Sequence, residues 1–175
     1  FVYMHMPFRI ELSQQLLSFA DGLSEYQKLR RTMFEFSQER KAEINESDVN
    51  SEPKLDEVYA ILKEGFPNLL DYGFWLTDTS HRIRRGISKA YTYKDCTTAS
   101  IVYDISGTVL VGQVATMVSA RGSGYAREFL YWLGSKLYEE GKNAMLFALD
   151  IRRSFYHEIG FKEIMTEFVL ERQDI

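Results

Sequence analysis

The stretch Arg121-Gly-Ser-Gly-Tyr-Ala126 has the residue types and spacing to hold an anion. Two glycines, Gly122 and Gly124, stand between an apolar run ending in Val114-Ala-Thr116 and a segment with helical periodicity. A helix start presents backbone N–H groups that lack an intrahelical partner and carries the positive end of the helix dipole. Glycine lets a phosphate come close to those groups, and Arg121 adds a cation at the same place. Two better-known anion loops are excluded. A dinucleotide turn needs a third glycine where Arg127 stands, and a Walker loop needs Gly-Lys-Ser/Thr. The turn could also serve packing alone, by letting helix and sheet approach closely.

The other reactive side chains are scattered. Cys96 is the single cysteine, so it forms no internal disulfide, and without clustered Cys or His it makes no zinc site. No metal is expected. His157 follows Tyr156 by one residue, which places it on another side of a helix and toward solvent. Asp150 ends an apolar run and could orient a water or an amine, or cap the helix that follows. The cluster His81-Arg-Ile-Arg-Arg85 reads as a solvated charged face.

The elements that must position these residues follow from periodicity. Phe1 to Ile10 reads as one or two strands, and Glu11 to Leu23 and Ser24 to Phe36 as a helical pair, from Leu12, Leu16, Phe19 and Ala20 and from Tyr26, Leu29, Met33 and Phe36. Gln38 to Pro53 is charged and aperiodic and reads as a linker, with Ala42 to Asn45 as a short edge strand. Leu55 to Phe66 is a helix stopped by Pro67, and Asp71 to Arg85 follows with Phe74 and Trp75 as anchors and the basic cluster His81 to Arg85 in a short helix. Ser88 to Lys94, Thr98 to Ile105 and Thr108 to Val118 read as three antiparallel strands, with Ser106-Gly107 as a tight turn and Gly112 as a bulge. Ala126, Phe129, Leu130, Leu133 and Leu137 mark the apolar stripe of the helix after the glycines, which Gly141 ends. Asn143 to Leu149 is then a buried parallel strand, which completes a β-α-β unit with the glycine turn at the strand's carboxyl end, where open sheets bind ligands. Arg152 to Ile159 is a short helix and Phe161 to Arg172 a final strand.

With 175 residues the chain suits one domain plus an appendage, and the composition divides it into 1–41, an N-terminal helical extension or the remnant of a preceding domain, and 42–175. A net charge of −4 argues against general nucleic-acid binding and fits a cationic partner such as an amine better. No apolar run is long enough for a membrane helix and no leader pattern is present, so the expectation is a soluble, cytoplasmic protein. The sequence opens on Phe1 rather than Met and is read as a trimmed chain.

Arg121-Gly-Ser-Gly-Tyr-Ala126 resembles the Arg/Gln-x-x-Gly-x-Gly/Ala signature of the GNAT superfamily of N-acetyltransferases, and Phe155-Tyr-His-Glu-Ile-Gly-Phe161 resembles that family's Tyr-x-x-x-Gly-Phe ending. The resemblance covers roughly Ala42 to Arg172. It implies an α+β fold: a mixed, mostly antiparallel sheet with flanking helices, whose fourth and fifth strands, Thr108 to Val118 and Asn143 to Leu149, splay apart. It also implies acetyl-CoA as cosubstrate, its pyrophosphate on the backbone N–H groups of Arg121, Gly122, Ser123, Gly124, Tyr125 and Ala126, and its pantetheine paired with the backbone of Val114, Ala115 and Thr116. A backbone N–H near Ala115 to Met117 would polarise the acetyl carbonyl. Tyr156 is implied as the catalytic group at the CoA sulfur, and His81 lies in the segment that lines the acceptor side. Asp150-Ile-Arg-Arg-Ser154 departs from the family's Asn and Ala spacing. The implied activity is acetyl transfer to a primary amine of a small molecule or protein, with no general base legible. The alternatives are a CoA-binding sensor and an interaction module, and pairing into a homodimer stays open.

Overall fold

The computed structural model describes residues 2–37 and 44–173. They form two compact units, Phe1–Glu35 with Phe147–Ile175, and Phe36–Leu146. The elements are α1 (Val2–His5), β1 (Arg9–Ser13), β2 (Tyr26–Phe36), β3 (Val49–Asn50), α2 (Leu55–Gly65), α3 (Tyr72–Arg84), β4 (Lys89–Tyr93), β5 (Thr97–Ile105), β6 (Thr108–Thr116), α4 (Tyr125–Glu139), β7 (Asn143–Leu149), α5 (Arg153–Glu158) and β8 (Phe161–Arg172). Among the described residues no helix is long and apolar enough to cross a membrane.

In the larger unit the strand order is β7-β6-β5-β4-β3. β3, β4, β5 and β6 pair antiparallel, whereas β6 and β7 are parallel through Thr108 with Asn143, Val109 with Ala144 and Leu110 with Met145. β6 runs on to Thr116 past that pairing, which is the parting of the parallel strands that the resemblance implies. Ser106 and Gly107 both have positive φ, 52° and 81°, as the two-residue turn from β5 to β6 requires.

Each face of this sheet is covered. Val58, Ile61, Leu62 and Trp75 of α2 and α3 pack with Ala90 and Ala115 on one side. On α4, Phe129, Leu130, Leu133 and Leu137 are buried, each worth roughly 1.5–3 kcal/mol relative to exposure. Trp132 is buried too, beyond the expected stripe, and its ring stands 6.3 Å from Tyr91. Gly134 is there for space: a Cβ would lie 2.6–2.8 Å from the Phe36 ring. Trp75 anchors α3 as expected, but Phe74 is 74% exposed and anchors nothing.

The smaller unit corrects the reading of the N-terminal segment. Tyr26–Phe36 is a strand, not a helix, and of Glu11 to Leu23 the first residues belong to β1 and only Gln14–Ala20 turn as a 3-10 helix. The expected helical extension is therefore two strands joined by a short helix. Tyr26, Leu29, Met33 and Phe36 happen to fit a helical spacing, but the buried positions are Tyr26, Thr32, Phe34 and Phe36, all an even number of residues apart and so on one face of a strand. Tertiary pairing decides between the two periods: β1 pairs antiparallel with β8, Ile10 opposite Leu170 and Leu12 opposite Phe168, and the order is β1-β8-β2. Val2–His5 is helical where a strand was expected. Of the edge strand expected at Ala42 to Asn45, Ala42 and Glu43 lie outside the described residues, and Ile44 and Asn45 are not in a strand. Asn45 itself precedes a 3-10 turn, and the short edge strand is Val49–Asn50.

Candidate functional site

β6 is bulged immediately after Gly112. Ser100 of β5 faces Gly112 and Thr98 faces Ala115, so β6 spends one residue more than β5 over that interval. Gln113 takes up the excess at φ 51°. A bulge bends and twists the strand that carries it, and so re-aims Val114, Ala115 and Thr116. Gly112 itself is required by packing, since a Cβ there would approach Val102 Cγ2 at 2.9 Å.

Antiparallel pairing turns alternate residues of β6 toward β5. Met117 donates its N–H to Cys96 O at 2.8 Å, so Ala115 and Met117 face β5 and Val114 and Thr116 face away. Of the three residues expected to pair with pantetheine, Val114 and Thr116 thus present main-chain groups on the far side, and Ala115 does not. The Thr116 carbonyl is taken, because Arg121 Nε donates to it at 3.1 Å. The N–H of Met117, one of those expected to polarise a carbonyl, is likewise engaged.

Arg121 is exposed and points back toward protein rather than across the glycine turn. Its Nη2 donates to the main-chain carbonyl of Glu64 at 2.9 Å, while the Glu64 carboxylate accepts the N–H of Val118 at 2.6 Å. Sequence reasoning missed Glu64. The only signal was the helix stop at Gly65-Phe66-Pro67, which places it at the last turn of α2. Gly65 is squeezed there, with the site of a Cβ 2.8 Å from Ala115 Cβ.

The turn itself is left-handed at both glycines, Gly122 at φ 84° and Gly124 at φ 82°, and Gly124 is the N-cap of α4. A Cβ at either position would meet nothing within 4 Å. Backbone conformation, not crowding, thus calls for glycine, and the space in front of the turn is open. Ser123 is exposed, Tyr125 and Ala126 half-buried. Behind the turn, Tyr93 is buried with its ring stacked on Phe129 at 5.5 Å and its hydroxyl donating to Glu128 Oε2 at 3.0 Å. Burial, then the Glu128 bond, raises its pKa. Lys94 Nζ sits 4.7 Å from the centre of the Tyr125 ring. Neither Tyr93 nor Lys94 was singled out by sequence.

In the smaller unit Tyr156 lies on α5, half-buried, its ring 5.4 Å from Phe34, 5.2 Å from Phe155 and 5.9 Å from Phe161. Burial raises its pKa against a smaller opposing effect of Arg152, so the hydroxyl keeps its proton at neutral pH. His157 is exposed and meets Glu163 Oε1 at 2.9 Å, and Arg153 binds the same carboxylate through two bonds of 2.5 and 2.6 Å. These bonds hold Glu163 down at about 2, that of Arg153 contributing most. Asp150 makes no helix cap. It stands 3.6 Å from Arg30, and the N-cap of α5 is Arg152, which makes no side-chain cap bond. His81 is exposed on α3. Among the described residues no group of three or more His, Cys, Asp or Glu side chains could hold a metal ion.

By fold, the chain is similar to a GCN5-related N-acetyltransferase from Sphaerobacter thermophilus (TM-score 0.67, 16% identity, 95% of this chain and 60% of that one). The GNAT-family acetyltransferase from Colwellia psychrerythraea gives TM-score 0.62 at 15% identity over 94% of this chain and 63% of its own. A GCN5-related N-acetyltransferase from Kribbella flavida gives 0.62 at 14% identity over 95% of this chain and 68% of its own. The chain has the GNAT fold. No family model matches the sequence, and no curated protein matches it either. The GNAT fold here is carried by a sequence only 14–16% identical to these three neighbours, and it spans less than two thirds of the length of the first two.

Proposed function

We propose that this chain is an acetyl-CoA-dependent N-acetyltransferase that acts on a primary amine of a small molecule or a protein, in the cytoplasm. The observation that carries the reading is the open, left-handed glycine turn that caps α4, reached through one 3-10 turn from a bulged strand that outruns its parallel partner. The residues fit the cosubstrate. Gly122 and Gly124 leave the first N–H groups of α4 approachable by a pyrophosphate, and Val114 and Thr116 turn main-chain groups away from β5, where pantetheine amides can pair as an added strand does. Arg121 serves this site indirectly, by tying the end of β6 to α2.

Acetyl-CoA supplies an activated acyl group. The neutral amine nitrogen bonds to the carbonyl carbon and gives up a proton to solvent, the carbon–sulfur bond breaks, and the departing sulfur must be protonated or held by a donor. Tyr156, protonated at neutral pH, is the residue proposed for that last role. The close packing of its ring against three phenylalanines supports a second reading, a CoA-binding module without turnover, in which Tyr156 is only structural. A coupled thiol-release assay with acetyl-CoA over a panel of primary amines separates the two. Acetyl-CoA-dependent product with at least one amine is expected, whereas binding of acetyl-CoA without turnover on any amine would favour the module.

A further inference from the structure

α5 is too short to hold its own shape. It spans six residues, Arg153–Glu158, whereas isolated helices of fewer than roughly 12 residues are marginal in water. Its N-cap, Arg152, makes no side-chain cap bond, and Arg153 adds a second cation at the end of the helix where the dipole favours an anion. Tertiary contacts must therefore hold it, and β8 and β2 supply them.

Phe161 and Glu163 are alternate residues of β8 and so share one face of that strand. Phe161 stands 5.9 Å from the Tyr156 ring, and Phe34 of β2 stands 5.4 Å from Tyr156 and 5.5 Å from His157. Glu163 meets α5 at two other points. Arg153 forks onto both of its carboxylate oxygens at 2.5 and 2.6 Å, and His157 Nε2 lies 2.9 Å from Oε1. Arg153 and His157 are four residues apart and hence on one side of the helix. A single carboxylate thus grips the first and the fifth residue of a six-residue helix, and it puts an anion beside the end that Arg153 would otherwise leave positive.

The two kinds of contact do different things. Ring packing is non-directional and lets a ring shift among its neighbours, whereas a forked guanidinium–carboxylate pair fixes both distance and orientation. Tyr156 lies between the two gripped residues, so the direction of its hydroxyl follows the rotation of α5.

We propose that Glu163 is a positioning residue for acyl transfer, which through Arg153 and His157 fixes the rotation of α5 and so the aim of the Tyr156 hydroxyl. The proposal rests on the role given to Tyr156 at the leaving sulfur.

The test is steady-state kinetics of the full chain, with an amine accepted in the thiol-release assay, for Glu163→Ala, Tyr156→Phe and the double variant, each folded by circular dichroism. Glu163→Ala should lower kcat about tenfold and change the KM for acetyl-CoA by less than about twofold. In the Tyr156→Phe background the same substitution should cost little more, because a residue that acts through Tyr156 then has nothing left to aim. Amide hydrogen exchange read by mass spectrometry needs no turnover: peptides covering 153–160 should exchange faster in Glu163→Ala, and those from α4 should not. The same tenfold loss in the Tyr156→Phe background would make Glu163 a general structural residue and overturn the proposal. Unchanged exchange at α5 would overturn it as well, and so would an unchanged kcat in Glu163→Ala beside a slow Tyr156→Phe. If no amine is turned over, or if Tyr156→Phe leaves kcat untouched, it is the role of Tyr156 that fails, and the proposal falls with it.

Discussion

The guanidinium of Arg121 donates to the main-chain carbonyl of Glu64 at 2.9 Å and to that of Thr116 at 3.1 Å. One side chain, placed one residue before Gly122, thus joins the last turn of α2 to the end of β6. Arg121→Ala should release that end of β6 and lower stability by about 1 kcal/mol, since both carbonyls can return to water. Thermal melts check the stability, and the same variant should keep most of its affinity for acetyl-CoA.

Tyr156→Phe removes a hydroxyl and leaves the ring among Phe34, Phe155 and Phe161. If Tyr156 protonates the leaving sulfur, kcat should fall by about 10²-fold while the KM for acetyl-CoA changes little. An unchanged kcat would leave Tyr156 with packing alone.

Gly134→Ala places a methyl group within 2.6–2.8 Å of the Phe36 ring. Alanine is the better helix former, yet the overlap should win and destabilise by about 1–3 kcal/mol. Chemical denaturation should show a lower midpoint with an unchanged slope. A more stable Gly134→Ala protein would mean that α4 and Phe36 part more easily than their contact implies.

Glu163 titrates at about 2 in the folded chain because Arg153 and His157 bind its carboxylate. Its folded pKa is below the ordinary carboxylate value, so its contribution to stability is present above about pH 4.5 and is lost as the pH falls toward 2. Urea titrations across that window should show a shallower acid-side loss in Glu163→Gln than in the wild type, with the difference reduced by salt. Equal slopes would show that the cluster is solvated.

Much of the larger unit is legible in sequence because its signals are local. The two glycines at positive φ, the turn at Ser106-Gly107 and the unbroken apolar run Asn143 to Leu149 each specify one conformation through few neighbours. β2 is illegible for the opposite reason. Arg30-Arg-Thr-Met-Phe-Glu-Phe36 fits both a helical and an alternating period, and only its place next to β8 in the strand order β1-β8-β2 selects the strand. Around the glycine turn, sequence marks the backbone that an anion would use, but not the contacts that orient it. Arg121 reads as a phosphate ligand until the main-chain carbonyl of Glu64, 57 residues earlier in the chain, is seen to accept its hydrogen bond. The Tyr93–Glu128 bond is hidden in the same way, since nothing local distinguishes Tyr93 from the other strand tyrosines.

The central claim is that acetyl-CoA binds on the glycine turn, and isothermal titration of acetyl-CoA into the wild-type chain and into Gly124→Val tests it most directly. A β-branched residue at φ 82° is strained and would place methyl groups in the space now open before α4. Micromolar binding by the wild type, with a loss in Gly124→Val larger than in Arg121→Ala and with the variant still folded by circular dichroism, is the predicted result. No heat of binding in the wild type, or the same affinity in a folded Gly124→Val protein, would contradict it.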